Sequence, residues 1–525
     1  MATPSLVPML ERRAFLRNLG VGLLAVASRP AFAQVRPRAG RPAAARAKDI
    51  FNQLDGVARA RAAKPAGPRP AVAPELARLS YDHYRQIRYR PARGLWRGEG
   101  RPFEVQFFHE GRGFPGVDVF VDDARLPFDP GRFIYPAGID PARLGKVGYS
   151  GLRVHAPFKR ADYPDEFLVF LGASYFRAVG REESYGLSAR CLAIDLGGKN
   201  GEEFPAITAL HLVRPDPGDK TLHLVAEVRS GRSEAVFHFE AAPGETTTLE
   251  VDAAVYLRGS VEALGLAPLS SMFLFGEEQP GRFGDFRPEV HDSDGLVLVG
   301  ASGEQIFRPL RNPDRTTVSS FQLDDAKLFG LVQRDRDPAS YQDYEARYET
   351  RPSAWIEPRG AWGAGALRLL EITTRLESDD NIAMAFVPTT PGSELHVSYR
   401  VSFGKEPPSR YAGARVRAVR SGIPGAGFRP VTDGSRLFIV DWDWAGADGA
   451  AAKLDALETR VDARGGTVVD VRTEKNGADG SWRTAFQVRP SAPDVELRAF
   501  LHAGDRAVSE TLAHLWQPGK EVAAR

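Results

Sequence analysis

One cysteine, Cys191, stands in 525 residues, so no internal disulfide is available and the fold must rest on core burial, which a chain this long can supply. Its setting, Ala189-Arg190-Cys191-Leu192-Ala193-Ile194, is an alternating apolar run, which reads as a buried small hydrophobe and not a nucleophile. Long apolar runs are also missing. Beyond residue 27 none reaches the roughly 18 apolar residues of a membrane span, so the sequence predicts a chain that does not cross a bilayer. Charge of one sign is absent, with 69 basic against 67 acidic side chains, and no global field draws nucleic acid or an anionic membrane. The ten histidines are scattered, and neither a cysteine pair nor a His-Glu-x-x-His motif occurs. A Gly-Lys-Ser/Thr phosphate loop and a Gly-x-Ser-x-Gly elbow are missing, and Gly360-Ala361-Trp362-Gly363-Ala364-Gly365 follows no strand that leads into a helix. Asp292-Ser293-Asp294-Gly295 starts like a calcium loop but lacks the later ligands. No cofactor and no metal is predicted.

What is present begins with an export signal. Glu11-Arg12-Arg13-Ala14-Phe15-Leu16-Arg17, the apolar run Leu19 to Ala27 and the small-x-small Ala31-Phe32-Ala33 make residues 1–33 a secretory signal of twin-arginine type. Four Arg and one Glu leave with it, so 65 basic and 66 acidic side chains remain. Residues 34–74 form a basic Ala/Pro-rich leader, predicted flexible apart from one short amphipathic helix after Asp49 that carries Ile50, Phe51, Leu54, Val57 and Ala58.

From about residue 75 the pattern changes to period two. Leu249, Val251, Ala253, Val255 and Leu257 alternate with Glu250, Asp252, Ala254, Tyr256 and Arg258, which predicts a strand with one wet face. Leu222 to Val228 and Ala235 to Phe239 flank Ser230-Gly231-Arg232-Ser233 as a hairpin, and Val117 to Val121 and Leu395 to Val401 are further strands. Such a series predicts an all-β protein with a large β-sandwich over residues 75–404. A Pro-rich linker at 405–412 then leads to residues 413–525, whose short strands (Arg415 to Val419, Arg436 to Val440, Gly466 to Val471, Trp482 to Val488, Val495 to Leu501, Val508 to Trp516) predict a small immunoglobulin-like sandwich. Ala445 to Ala452 reads as a Gly/Ala-rich surface loop.

Carboxylates and aromatics concentrate between residues 285 and 380. Asp292, Asp294, Asp343, Glu377, Asp379 and Asp380 are interleaved with Tyr341, Tyr344, Tyr348, Trp355 and Trp362 and with Arg287, Arg347 and Arg351. Sugar clefts need flat apolar faces for pyranose rings and charged groups for hydroxyls, and glycoside hydrolysis needs two carboxyl groups in opposed roles. Asp294, Tyr344, Arg347, Arg351, Trp355, Trp362 and Asp379 are accordingly candidate substrate-binding residues. A solvated loop region with core aromatics explains the same composition.

Five blocks narrow the choice. Tyr81-Asp82-His83-Tyr84-Arg85-Gln86-Ile87-Arg88-Tyr89, Gly172-Ala173-Ser174-Tyr175-Phe176-Arg177-Ala178, Tyr185-Gly186-Leu187-Ser188-Ala189-Arg190, Glu289-Val290-His291-Asp292-Ser293-Asp294-Gly295 and Asp379-Asp380-Asn381-Ile382 resemble, in order, the signature blocks of the periplasmic glucan biosynthesis proteins of the OpgG/OpgD (MdoG/MdoD) family. The signal resembles the D branch more than the G branch. The resemblance implies a galactose mutarotase-like β-sandwich, a smaller immunoglobulin-like domain, a periplasmic location and work on osmoregulated glucans with β-1,2-linked backbones. For the D branch it implies an inverting endo-β-1,2-glucanase, placing Asp380 on the general acid, Asp292 on the general base and Tyr348 on a proton relay. The rival expectation is a non-catalytic glucan-binding or scaffolding protein acting with the membrane glucosyltransferase.

Overall fold

The computed structural model describes residues 41–68, 72–111, 113–281, 284–409, 411–426, 429–431, 433–444 and 456–518. The export signal and the loop at Ala445 to Ala452 lie outside the described residues. None of the described helices is long and apolar enough to cross a membrane.

The chain is an all-β sandwich. A ten-stranded sheet and a fifteen-stranded sheet face each other. Phe107, Leu152, Phe170 and Phe176 of the first pack on Leu224, Phe237, Phe239 and Val401 of the second in one continuous core. Phe170 and Phe176 meet Phe239 edge-on, with ring centroids 5.2 and 5.3 Å apart, so each inward position of the alternating pattern fills the space between sheets. Cys191 lies in this core, and burial pushes its thiol pKa up, away from thiolate chemistry. The predicted strands are present as Asp118–Val121, Leu222–Arg229, Ser233–Ala242, Thr247–Leu257 and Glu394–Gly404, paired in register.

Two features reach beyond the local sequence pattern. The leader is not merely a flexible tether. Its helix starts before Asp49 and runs Ala43–Ala62, with Ala43, Ala47, Ile50, Phe51, Leu54 and Ala58 buried. That stripe packs on Val225, Val236, Ala254 and Tyr256. Ala254 and Tyr256 are therefore covered, although alternation places them on the wet face of their strand. Helix docking, a contact between segments 200 residues apart, decides which part of the outer face is dry.

The C-terminal unit is also less separate than a linker suggests. A four-stranded sheet (Arg415–Gly422, Arg436–Asp443, Trp482–Pro490, Gly466–Lys475) packs on Val495–Ala503 and Thr511–Trp516. Those two strands belong to the fifteen-stranded sheet, because Ile306 and Phe307 pair in parallel with Thr511 and Leu512. The second core mixes Val297, Phe307, Leu328 and Trp355 with Val440, Trp442, Phe486 and Trp516, so the two sandwiches share apolar burial.

Candidate active site

Asp292 sits in the short link between strands Val290–His291 and Gly295–Gly300. The link is held by distant partners. Asp292 N donates to Met272 O at 2.8 Å, and Asp294 N donates to Val332 O at 2.8 Å. Ser271 Oγ donates to Ser293 Oγ at 2.8 Å. Asp294 Oδ2 accepts from Arg334 N at 2.6 Å and Asp335 N at 3.0 Å, which makes Asp294 a structural acceptor for a loop forty residues on. His291 lies between Glu289 Oε2 and Gln333 Oε1, each at 2.8 Å. Burial works against its charge, but Glu289, Asp294 and Gln333 together leave its pKa raised. Gly295 is required by close approach and not by a left-handed backbone: a Cβ there would stand 2.1 Å from the Phe307 ring.

Asp380 precedes the strand Ile382–Pro388, and its neighbours fix it. The buried Asn381 side chain accepts from Phe273 N at 2.9 Å and donates to Phe273 O at 2.9 Å and Ile372 O at 3.1 Å. Asp379 Oδ2 accepts from Thr374 Oγ1 at 2.5 Å, which turns it into the local loop. Asp380 Oδ2 instead faces Arg177 Nη2 at 3.6 Å. Arg177 Nε donates to Ser188 Oγ at 2.6 Å, so the Gly172–Ala178 and Tyr185–Arg190 blocks meet at this carboxylate.

The two carboxyl side chains keep 14 and 22 % exposure, enough to reach an incoming molecule while protein surrounds them elsewhere. Burial raises the pKa of Asp380, Arg177 opposes the rise, and the Asp292 and Asp379 charges add to it. Burial raises Asp292 as well, against Arg351 and Arg177. Asp292 Oδ1 has Arg351 Nε at 3.4 Å and no hydrogen-bond donor among the described residues. Arg177 thus acts on both acids.

Tyr348 and Arg351 complete the group. Tyr348 is 2 % exposed, and Arg351 Cζ lies 5.3 Å from its ring centroid. The Tyr348 hydroxyl donates to Glu377 Oε1, and Arg287 binds Glu377 Oε2 at 2.8 Å, Asp343 Oδ2 at 2.7 Å and Asp285 Oδ2 at 2.7 Å. This network staples the loops around residues 285, 343 and 377. Burial pushes the Tyr348 pKa well up, and the Asp292 and Glu377 charges add to it, so its hydroxyl keeps its proton. Gly186 is pressed to Arg351, where a Cβ would stand 3.0 Å from Arg351 Cβ.

The structure therefore brings together Asp292, Asp380, Tyr348 and Arg351. Tyr344 is 90 % exposed on the neighbouring loop, and Arg347 is mostly exposed with Nε on Glu349 Oε1 at 3.1 Å. Trp355 and Trp362 do not join the group. Trp355 fills the second core. The Trp362 ring packs on Phe329, Phe386 and Tyr399, with Nε1 donating to Ser398 O at 3.3 Å. Trp355 is 4 % exposed and offers no face to a sugar ring, and Trp362 is partly buried against its neighbours. The Tyr81–Tyr89 block also lies apart, with Tyr84 Oη donating to His109 O. Sequence reasoning passed over Arg177, Ser188 and Asn381 as functional residues. The available signal was an arginine inside the apolar strand Tyr175–Ala178.

An all-β sandwich whose loops hold two part-exposed carboxylates near one arginine is the class that fold and site define. The family described as "Periplasmic glucan biosynthesis protein, MdoG" matches residues 50–516, and the chain belongs to that family. Relatives named "Glucans biosynthesis protein G" are 42 % identical in Rhodopseudomonas palustris (88 % of this chain, 92 % of that protein) and 40 % identical in Ralstonia nicotianae (96 and 100 %). "Glucans biosynthesis protein D 1" of Ralstonia nicotianae is 39 % identical (97 and 99 %). The similarity thus leans to G and corrects the inclination to D drawn from the signal.

Proposed function

We propose that this chain, a protein of periplasmic glucan biosynthesis, is an inverting endo-β-1,2-glucanase that sets the structure or length of the glucan backbone. The observation that carries the reading is the pair Asp380 and Asp292. Burial raises the pKa of both, both keep part of the side chain exposed, and both feel Arg177. A raised pKa keeps Asp380 protonated toward neutral pH, as an acid donating to the glycosidic oxygen requires. Asp292, whose rise Arg351 and Arg177 oppose, takes the role of base and accepts the proton of the attacking water. Tyr348, whose hydroxyl donates to Glu377, is assigned the relay that passes a proton along when water and base do not touch directly. Tyr344 and Arg347 form an exposed rim for sugar rings, and Asp379 and Asp294 act by shaping the loops. A twin-arginine signal delivers the chain to the periplasm.

A second reading is favoured by the relatives' names, which speak of biosynthesis and not of cleavage. In it the same site binds the growing glucan for the membrane glucosyltransferase, with the carboxylates as hydrogen-bond acceptors. Incubating the purified protein with linear β-1,2-glucan separates the two. Shorter oligosaccharides released with inverted anomeric configuration support the enzyme; retained binding with no product at any pH supports the scaffold.

A further inference from the structure

Motif spacing hides a second cluster, because its members lie on different strands. In the hairpin of Leu222–Arg229 and Ser233–Ala242, His223 stands opposite Glu240, and Val225 stands opposite His238. Residues two apart share a face, so His223, His238 and Glu240 project from one side of the sheet. His223 Nδ1 and His238 Nε2 are 3.4 Å apart, the two rings stack with centroids 5.6 Å apart, and Glu240 Oε1 is 3.9 Å from His223 Nδ1. All three ligand atoms lie within 4.8 Å of one another.

Two nitrogens held at about 2.0–2.1 Å from a tetrahedral ion stand roughly 3.3–3.4 Å apart, and the two imidazole nitrogens have that separation. Their outer nitrogens are occupied in the manner that orients metal-bound histidine. His238 Nδ1 faces Asp252 Oδ2 at 3.7 Å, and Asp252 Oδ1 accepts from Ser398 Oγ at 2.5 Å. His223 Nε2 is 3.4 Å from Thr221 Oγ1. With a proton on each outer nitrogen, both inner nitrogens are unprotonated and free to act as ligands. The histidines are 5 and 3 % exposed, and Glu240 is half-buried, which leaves a solvent side for a water ligand. The Phe51 ring of the leader helix packs at 6.3 Å from His238, so the cluster lies at the helix docking surface.

We propose that His223 Nδ1, His238 Nε2 and Glu240 Oε1 bind one divalent ion of the zinc class, with water as fourth ligand, and that the ion fastens this hairpin beneath the leader helix. The site stands apart from the carboxylate pair and does not depend on its role. The test uses the mature chain without a histidine tag, stripped with a chelator. Zn²⁺ uptake is followed by calorimetry, and Co²⁺ uptake by the visible absorption of four-coordinate cobalt. One equivalent bound, with affinity falling at least tenfold in His238→Ala and in Glu240→Ala, is the expected result. No uptake by the wild-type chain overturns the site, as does unaltered affinity in a variant whose circular dichroism matches wild type. Should His238→Ala fail to fold, Glu240→Ala, with its half-exposed side chain, decides alone.

Discussion

At the junction of the two sandwiches, the fully buried Glu510 carboxylate accepts from Arg334 Nη1 at 2.5 Å, Arg334 Nη2 at 3.0 Å, Val416 N at 2.6 Å and Gln305 Nε2 at 2.9 Å. In the candidate site, Asp292 and Asp380 each face one guanidinium nitrogen at 3.4 and 3.6 Å. Both regions bury acids beside arginine, and they differ in donors per carboxylate. Saturated with donors, a buried carboxylate remains an anion and ties elements together; undersupplied, burial lifts its pKa and leaves a proton free to move. Glu278 is held as an anion by neighbouring charge and not by donor number, since its Oε2 has no hydrogen-bond partner among the described residues. Burial alone would raise it, but His514 at 3.1 Å, with Arg311 and Arg308, holds its pKa down to about 2.

The contrast breaks first if the candidate-site acids prove dispensable. Asp380→Asn and Asp292→Asn are each expected to lower turnover on linear β-1,2-glucan by about 10²–10⁴-fold, the usual range for a lost proton-transfer group. Melting should remain cooperative, and near-normal turnover in either variant refutes its role. Glu510→Ala should do the reverse. With Arg334 left as a buried unpaired cation, global stability falls by about 3–5 kcal/mol in urea unfolding, while the cleavage rate per folded molecule stays near wild type. A Glu510 variant as stable as wild type would mean that donor saturation is not what binds the sandwiches together.

Much of the scaffold was legible in the sequence because alternation is local. Leu249 to Leu257 and the Ser230–Ser233 hairpin show their faces in a few residues, and Asp380 stands before its strand as the apolar run predicted. What was not legible depends on partners far along the chain. Nothing near Tyr256 announces the helix that covers it, and nothing near Thr511 announces its parallel pairing with Ile306. Trp355 and Trp362 have the composition of sugar platforms, yet Trp355 is buried in the second core and Trp362 packs partly buried against Tyr399. Within the site, Asp292 and Asp380 were reached through the resemblance of their blocks. Arg177, which acts on both, was passed over, because a charged residue in a short apolar strand has no local mark of the carboxylates it will meet.

Smaller effects sharpen the same contrast. The folded pKa of Glu278, about 2, lies below its ordinary 4.5. The stabilisation it supplies is therefore complete above about pH 4.5 and is lost as pH falls toward 2. Glu278→Gln should cost about 1–3 kcal/mol at pH 6 and much less near pH 2, so the stability curves of variant and wild type converge in acid. Parallel curves in urea titrations across that window would exclude the His514 pairing as the cause.

Tyr348→Phe tests the weakest link. Its ring is buried between Tyr341 and the Arg351 guanidinium, so phenylalanine keeps the packing and deletes only the hydroxyl that donates to Glu377. Glu377 retains Arg287, so no buried charge is stranded. If the hydroxyl passes a proton that water can also carry, turnover should fall about tenfold, or ~1.4 kcal/mol, with binding of the glucan unchanged. A loss as deep as that of Asp292→Asn would instead make Tyr348 an obligatory carrier, and unchanged turnover would reduce it to a prop for the Glu377 loop.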